Sequence, residues 1–205
     1  MADRIYVFID GESHFHRSEC AWRRIHGNDA SLERLKYIGE MKNLVLADAK
    51  AKVFWTRKLS PGADRTYYFT STFGDSAAHH EIQKRLREFG LESHVVLERK
   101  VLRDQRENLR TSQHLIEKPK GVDIALAVRM LEDTEYYEEC HLYTSDIDFL
   151  PVINAVRGRG KRVYVFGYAE GLSVQSPFLH ACEQFVDLEE LMRNECEHYP
   201  PKEIA

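Results

Sequence analysis

Two hydrophobic periods alternate along this chain. Residues 4–10, Arg-Ile-Tyr-Val-Phe-Ile-Asp, form an almost unbroken apolar and β-branched run, the pattern of a parallel strand buried on both faces. The run stops at Asp10-Gly11-Glu12-Ser13, where glycine permits a tight turn and Ser13 is a candidate helix cap. Leu32, Leu35, Ile38, Met41, Leu44 and Val45 then repeat near 3.6, which predicts a helix over 31–49. Residues 52–57 and 65–70 are predicted strands, and Ser60-Pro61-Gly62-Ala63-Asp64 between them is turn chemistry. Residues 76–89 predict a helix closed by Gly90 in the left-handed conformation. A further strand is predicted within 94–102.

The second half repeats the alternation. Lys120-Gly121-Val122-Asp123 opens a helix through Ile124, Leu126, Val128 and Leu131 to about Asp133, apolar nearly all round and so expected to be substantially buried. The apolar segment 141–144 runs into Asp146 and Asp148, and Phe149, Leu150, Val152, Ile153 and Val156 follow at helical spacing. Gly158-Arg159-Gly160-Lys161 ends that helix, and 162–167 reads as another buried strand. A short helix over 173–182, an edge strand at Phe185-Val186 and a helix over 188–192 complete the pattern. There is no internal repeat. Strand–helix alternation predicts a single Rossmann-like α/β domain, three-layer α/β/α around a mainly parallel, doubly wound sheet. That domain is expected over 1–193, with a tail over 194–205 disordered from Pro200 onward.

Composition narrows the partners. Of 205 residues, 43% are hydrophobic and 30% charged, and the net charge is −4, so there is no global basic signature for nucleic acid. A local one exists: 99–120 holds Arg99, Lys100, Arg103, Arg106, Arg110, Lys118 and Lys120 against Asp104, Glu107 and Glu117. This segment is either a solvated surface stretch or an arm that contacts phosphates. The four cysteines form no C-x-x-C pair, the start lacks a signal-peptide pattern, and no apolar run approaches membrane-spanning length. A reducing, cytoplasmic setting with free thiols and no membrane partner is the expectation.

The acidic residues carry the chemistry. Asp10 ends one apolar strand, Asp146 ends another, Asp148 stands two residues later at a helix entrance, and Asp123 opens a third element. Each alone has a plain reading as a turn residue, a helix cap or a carboxylate favoured by the helix dipole. In a parallel sheet, however, strand ends from distant sequence converge on one edge, where ligands bind. Carboxylates gathered there repel one another unless a cation sits among them. Hard divalent ions with oxygen ligands, Mg²⁺ or Mn²⁺, suit such a set. No His/Cys set has zinc-like spacing.

Three motifs in order then resemble a known family. Phe8-Ile9-Asp10-Gly11-Glu12-Ser13 looks like the first motif of NYN domains, a group of PIN-like nucleases. Lys120-Gly121-Val122-Asp123-Ile124-Ala125-Leu126 is similar to the second. Leu142-Tyr143-Thr144-Ser145-Asp146-Ile147-Asp148-Phe149-Leu150-Pro151-Val152 is similar to the third, and 160–167 continues the match. The resemblance places the family's metal-binding acids on Asp10, Asp123 and Asp146, with Asp148 completing the shell or orienting water. In one departure, Ser13 stands where the family usually has Asn.

The resemblance implies a metal-dependent endoribonuclease. Mg²⁺ or Mn²⁺ would activate water and stabilise the leaving oxygen of a phosphodiester. Thr144 would hydrogen-bond a carboxylate or the phosphate, and Ser13, Lys120, Arg103, Arg106 and Arg110 would contact substrate. Arg23, Arg24, Lys58 and Trp22 are further contact candidates, each also readable as an ordinary surface or core residue. The implied partner is RNA, single-stranded or structured, and a homodimer stays open. The alternative is an RNA-binding regulatory module with weak or lost catalysis, motivated by Ser13 and the modest charge. A haloacid-dehalogenase-type phosphatase would need Asp where Glu12 stands, and a dinucleotide-binding protein would need G-x-G-x-x-G after the first strand.

Overall fold

The computed structural model describes residues 3–26, 38–73, 75–98, 121–173 and 175–194. In chain order the elements are β1 (Ile5–Asp10), α1 (Gly11–His26), α2 (Ile38–Leu59), β2 (Arg65–Phe73), α3 (Ser76–Glu88), β3 (Glu92–Glu98), α4 (Val122–Glu132), β4 (Glu139–Tyr143), α5 (Leu150–Gly158), β5 (Arg162–Gly167), α6 (Pro177–His180), β6 (Gln184–Asp187) and α7 (Leu188–Asn194). The strands form one sheet in the order β3-β2-β1-β4-β5-β6, and every neighbouring pair is parallel.

Side-chain alternation along the central strands divides the core in two. Tyr6 and Phe8 of β1 face α4, α5 and α6 through Leu126, Met130, Ile153 and Phe178. Val7 and Ile9 face α1, α2, α3 and α7 through Ala21, Trp55, Leu86 and Met192. Both faces of the sheet are therefore covered, as the unbroken apolar run of β1 requires. Burying each such side chain contributes about 1.5–3 kcal/mol. The chain order reverses between β1 and β4, a topological switch point. In an open α/β sheet, the crevice at the carboxyl ends of those two strands is where ligands bind.

One predicted strand is a helix. Residues 52–57, read as a strand from Val53, Phe54, Trp55 and Thr56, are the last turns of α2. Buried Val45, Asp48, Ala49, Lys52, Trp55 and Thr56 lie on one helical stripe, and no glycine or proline stands between Gly39 and Ser60-Pro61-Gly62. Local β propensity is overridden by packing against the sheet. The predicted start of this helix at 31, the end of the predicted strand beyond 98, and the tail from Pro200 lie outside the described residues. The caps also differ from expectation. α1 begins at Gly11, ahead of Ser13, and Asp146, rather than Asp148, caps the 3-10 turn Ile147–Phe149 that leads into α5. Gly90 does close α3, at φ +82°, with its amide donating to the Arg87 carbonyl.

Candidate functional site

β1 delivers Asp10 to the switch point almost wholly buried, at 1% exposure. Its Oδ1 accepts from the backbone amides of Glu12 at 3.2 Å and Ser13 at 3.1 Å, so Asp10 caps the first turn of α1. A carboxylate is favoured there by the helix dipole. Its other oxygen, Oδ2, accepts from the Thr144 hydroxyl at 2.9 Å. The turn is tight because a residue larger than glycine does not fit at position 11. A Cβ there would lie 2.7 Å from the Tyr68 ring and 2.8 Å from the Phe69 carbonyl oxygen.

β4 delivers the second group. Thr144 is fully buried, and its Oγ1 also accepts from the Asp146 amide at 3.1 Å. Asp146 Oδ1 in turn accepts from the Asp148 amide at 2.9 Å. The neighbouring Ser145 hydroxyl accepts from the Tyr168 amide at 2.7 Å and fastens the end of β4 to the end of β5. Asp146 is half-buried and Asp148 exposed. Asp123 is exposed in the first turn of α4.

Electrostatics ties three of these acids together. The Asp10 carboxyl is raised to about 6, chiefly by burial, and the charges of Asp123 and Asp146 push the same way; the Ser13 amide and Thr144 hydroxyl oppose them. Three carboxylates from the ends of β1 and β4 and the start of α4 thus share one field. Among the described residues, no three His, Cys, Asp or Glu side chains form a preassembled metal cage. Mg²⁺ does not require one, because it keeps several waters and is held by one or two carboxylates. The oxygen-only donor set, and a carboxylate destabilised first by burial and then by its acidic neighbours, fit a hard divalent cation.

The other expected contacts fall apart into two groups. Ser13 is half-buried beside Asp10, but its contact with Asp10 comes from its backbone amide, which any residue would supply. Lys120, Arg103, Arg106 and Arg110 lie outside the described residues. Arg24 is committed elsewhere: it is ion-paired to Glu170 and to Glu189, joining α1 to the start of α7. The side chains of Trp22 and Arg23 also lie outside the described residues.

A buried polar layer beneath the first turn of α1 escaped the sequence reading. The Tyr68 hydroxyl, packed under Gly11, donates to Asp48 Oδ2 at 2.7 Å. Lys52 Nζ, fully buried, stands 3.3 Å from Asp48 Oδ1, in ion-pair contact without hydrogen-bond alignment. His14 is fully buried with its Nε2 2.9 Å from the Phe166 carbonyl oxygen. Burial, and secondarily the Lys52 charge, hold its imidazole well below the usual range, hence neutral. Glu12 Oε1 accepts from the Ser71 amide at 2.8 Å, which anchors the turn to β2. The one sequence signal was the i, i+4 spacing of Asp48 and Lys52, hidden once 52–57 was read as a strand.

The model of the NYN domain matches residues 4–189. The fold is similar to that of a protein of unknown function from Vibrio parahaemolyticus RIMD 2210633, solved by crystallography. The TM-score is 0.53 and the identity 15%, over 91% of this chain and 93% of that one. No curated protein matches the sequence. Among the described residues, no helix is long and apolar enough to cross a membrane.

Proposed function

We propose, from the premise that this chain belongs to the NYN domain family, that it is a metal-dependent endoribonuclease. NYN domains are generally nucleases of the PIN-like superfamily. The observation that carries the finer reading is the buried Asp10 at the switch point of the sheet, joined through the Thr144 hydroxyl to the Asp146 amide. In this reading Asp10, Asp123 and Asp146 hold Mg²⁺ or Mn²⁺. Such an ion supplies an acidified water nucleophile and stabilises charge on the phosphate oxygens.

The chain's own residues do the rest. The amides of Glu12 and Ser13 fix one Asp10 oxygen, and Thr144 fixes the other. The Asp10 carboxylate is thus oriented before substrate arrives, one element of a preorganised site. Asp146 is held by the two backbone bonds at its own amide and at Asp148. Asp148, exposed beside it, accepts a proton from, or orients, the attacking water. Lys120, Arg103, Arg106 and Arg110 take the phosphates of the RNA in this reading, and the setting is cytoplasmic.

The test is cleavage of labelled RNA with Mn²⁺, with and without chelator, by the wild type and Asp146→Asn. The expected result is metal-dependent fragments from the wild type only, with the variant folded. Full activity in Asp146→Asn refutes the assignment. Tight RNA binding with no fragments in any metal points to a regulatory module, the reading that Ser13 in place of Asn favours.

A further inference from the structure

Three consecutive residues at the end of β5 hold the end of β4. The Phe166 carbonyl accepts from the Thr144 amide at 3.1 Å. The Tyr168 amide donates to the Ser145 hydroxyl at 2.7 Å. Between them, Gly167 passes so close that a Cβ there would collide with the Thr144 carbonyl oxygen. A carbonyl oxygen has two lone pairs, and His14 takes the second one of Phe166, with Nε2 at 2.9 Å. His14 belongs to the first turn of α1, Gly11-Glu12-Ser13-His14. The Glu12 and Ser13 amides of that turn fix Asp10 Oδ1, while Thr144 fixes Oδ2. One carbonyl oxygen therefore joins the two pieces of backbone that orient the Asp10 carboxylate.

The imidazole is used on one side only. A carbonyl accepts and does not donate, so Nε2 carries the proton and Nδ1 is the bare nitrogen. Nδ1 has no hydrogen-bond partner among the described residues, and the residue is fully buried. The ring centre lies 5.9 Å from that of Tyr143 and 5.4 Å from that of Tyr168, the residues on either side of the Thr144 and Gly167 contact. An apolar side chain would fill this space without burying an unsatisfied nitrogen, which costs free energy. What imidazole adds over an apolar residue is the N–H aimed at Phe166.

We propose that His14 is a positioning residue of the acidic site: its Nε2–H ties the first turn of α1 to the end of β4 and so holds the two supports of Asp10 in register. Being fully buried, it acts through Thr144 and the α1 turn and not by contact with substrate. Outer partners that fix a metal ligand in this way are worth about 10- to 100-fold in metal affinity or activity. The effect on cleavage rests on the nuclease reading, whereas the tether itself does not.

The experiment compares the wild type with His14→Leu, which lacks the donor, and His14→Gln, which keeps an N–H at the end of the side chain. In His14→Leu the Phe166 carbonyl still has the Thr144 amide, so no backbone group is orphaned. Hydrogen exchange in chelator at the Thr144 and Ser13 amides, taken relative to the amides of β1, should quicken roughly tenfold in His14→Leu. The ratio should return to that of the wild type in His14→Gln. With Mn²⁺ and labelled single-stranded RNA, kcat should fall about 10- to 100-fold in His14→Leu at unchanged KM, and His14→Gln should recover most of it. A general loss of stability would instead move the β1 amides together with Thr144 and Ser13. In the wild type, long-range proton–nitrogen correlations of the ring should show the proton on Nε2; a proton on Nδ1 overturns the proposal without any variant. An unchanged exchange ratio or an unchanged kcat in His14→Leu overturns it, as does an equal loss in His14→Leu and His14→Gln. Absence of metal-dependent cleavage by the wild type overturns the nuclease reading, and the tether then stands on an exchange ratio that rises with Leu and recovers with Gln.

Discussion

The Thr144 hydroxyl donates to Asp10 Oδ2 at 2.9 Å and accepts from the Asp146 amide at 3.1 Å. One buried oxygen therefore sets the spacing of the two strand ends that meet at the switch point. Thr144→Val keeps the shape and deletes both bonds, leaving a buried carboxylate oxygen unsatisfied at a cost of about 1–3 kcal/mol. RNA cleavage should fall about 10- to 100-fold, and Thr144→Ser should recover most of it. Equal activity in the valine variant would remove Thr144 from the site.

Burial of the same Asp10 carboxyl bears on pH. The Asp10 carboxyl is raised to about 6 from 3.8, so between those values the native protein holds a proton that the unfolded chain has lost. Stability of the metal-free protein should therefore fall as pH rises from about 4 to 6, by about 3 kcal/mol, and level off above. Asp10→Asn should abolish that slope, and saturating Mn²⁺ should stabilise the wild type most at the high end of the window, where Asp10 is charged. Urea midpoints across this range in chelator measure it. A wild-type profile identical to that of Asp10→Asn would contradict the burial argument.

Gly11 is required by contact rather than by backbone angle. A methyl group there would meet the Tyr68 ring at 2.7 Å and the Phe69 carbonyl oxygen at 2.8 Å, and backbone cannot step aside cheaply. Gly11→Ala should destabilise the fold by about 1–3 kcal/mol through overpacking. Adding Tyr68→Ala should recover only part of this, since the Phe69 carbonyl remains. A denaturation midpoint for Gly11→Ala at or above the wild type would rule out the clash.

The sequence made the sheet legible where apolar runs were long. β1, β4 and β5 are buried on both faces, so Ile5–Asp10 and Arg162–Gly167 read as strands without ambiguity. Asp10 and Asp146 could be placed at one edge because each follows an apolar run, and the parallel pairing of β1 with β4 brings those two strand ends side by side. The helical end of α2 was not legible, because Val53, Phe54, Trp55 and Thr56 favour strands locally and only the packing of Val53, Phe54 and Trp55 into the core on that side of the sheet decides otherwise. The cap of the α5 approach was not legible for a related reason: Asp146 and Asp148 have the same chemistry two residues apart, and only the direction of the backbone shows which accepts the amide. The layer of Asp48, Lys52, Tyr68 and His14 was invisible because burial of a lysine runs against composition-based expectation.

That layer makes a prediction of its own. Lys52 and Asp48 are both buried, one helical turn apart, and Asp48 is also held by the Tyr68 hydroxyl under Gly11. Removing one partner of a buried pair leaves an uncompensated charge, at about 3–5 kcal/mol. Lys52→Met should therefore destabilise strongly, and Asp48→Asn should do so as well, since it leaves the ammonium without its counter-charge. The double variant Lys52→Met/Asp48→Asn should cost clearly less than the sum of the two, with a coupling of about 1–3 kcal/mol. If the pair merely fills space, the two losses will add and each will be small, as for an exposed pair. Urea unfolding of the four proteins distinguishes these outcomes. Cleavage assays on the same set then report on the turn above: Tyr68 reaches Asp48 from directly beneath Gly11, so loss of the pair should lower activity beyond the loss of folded protein.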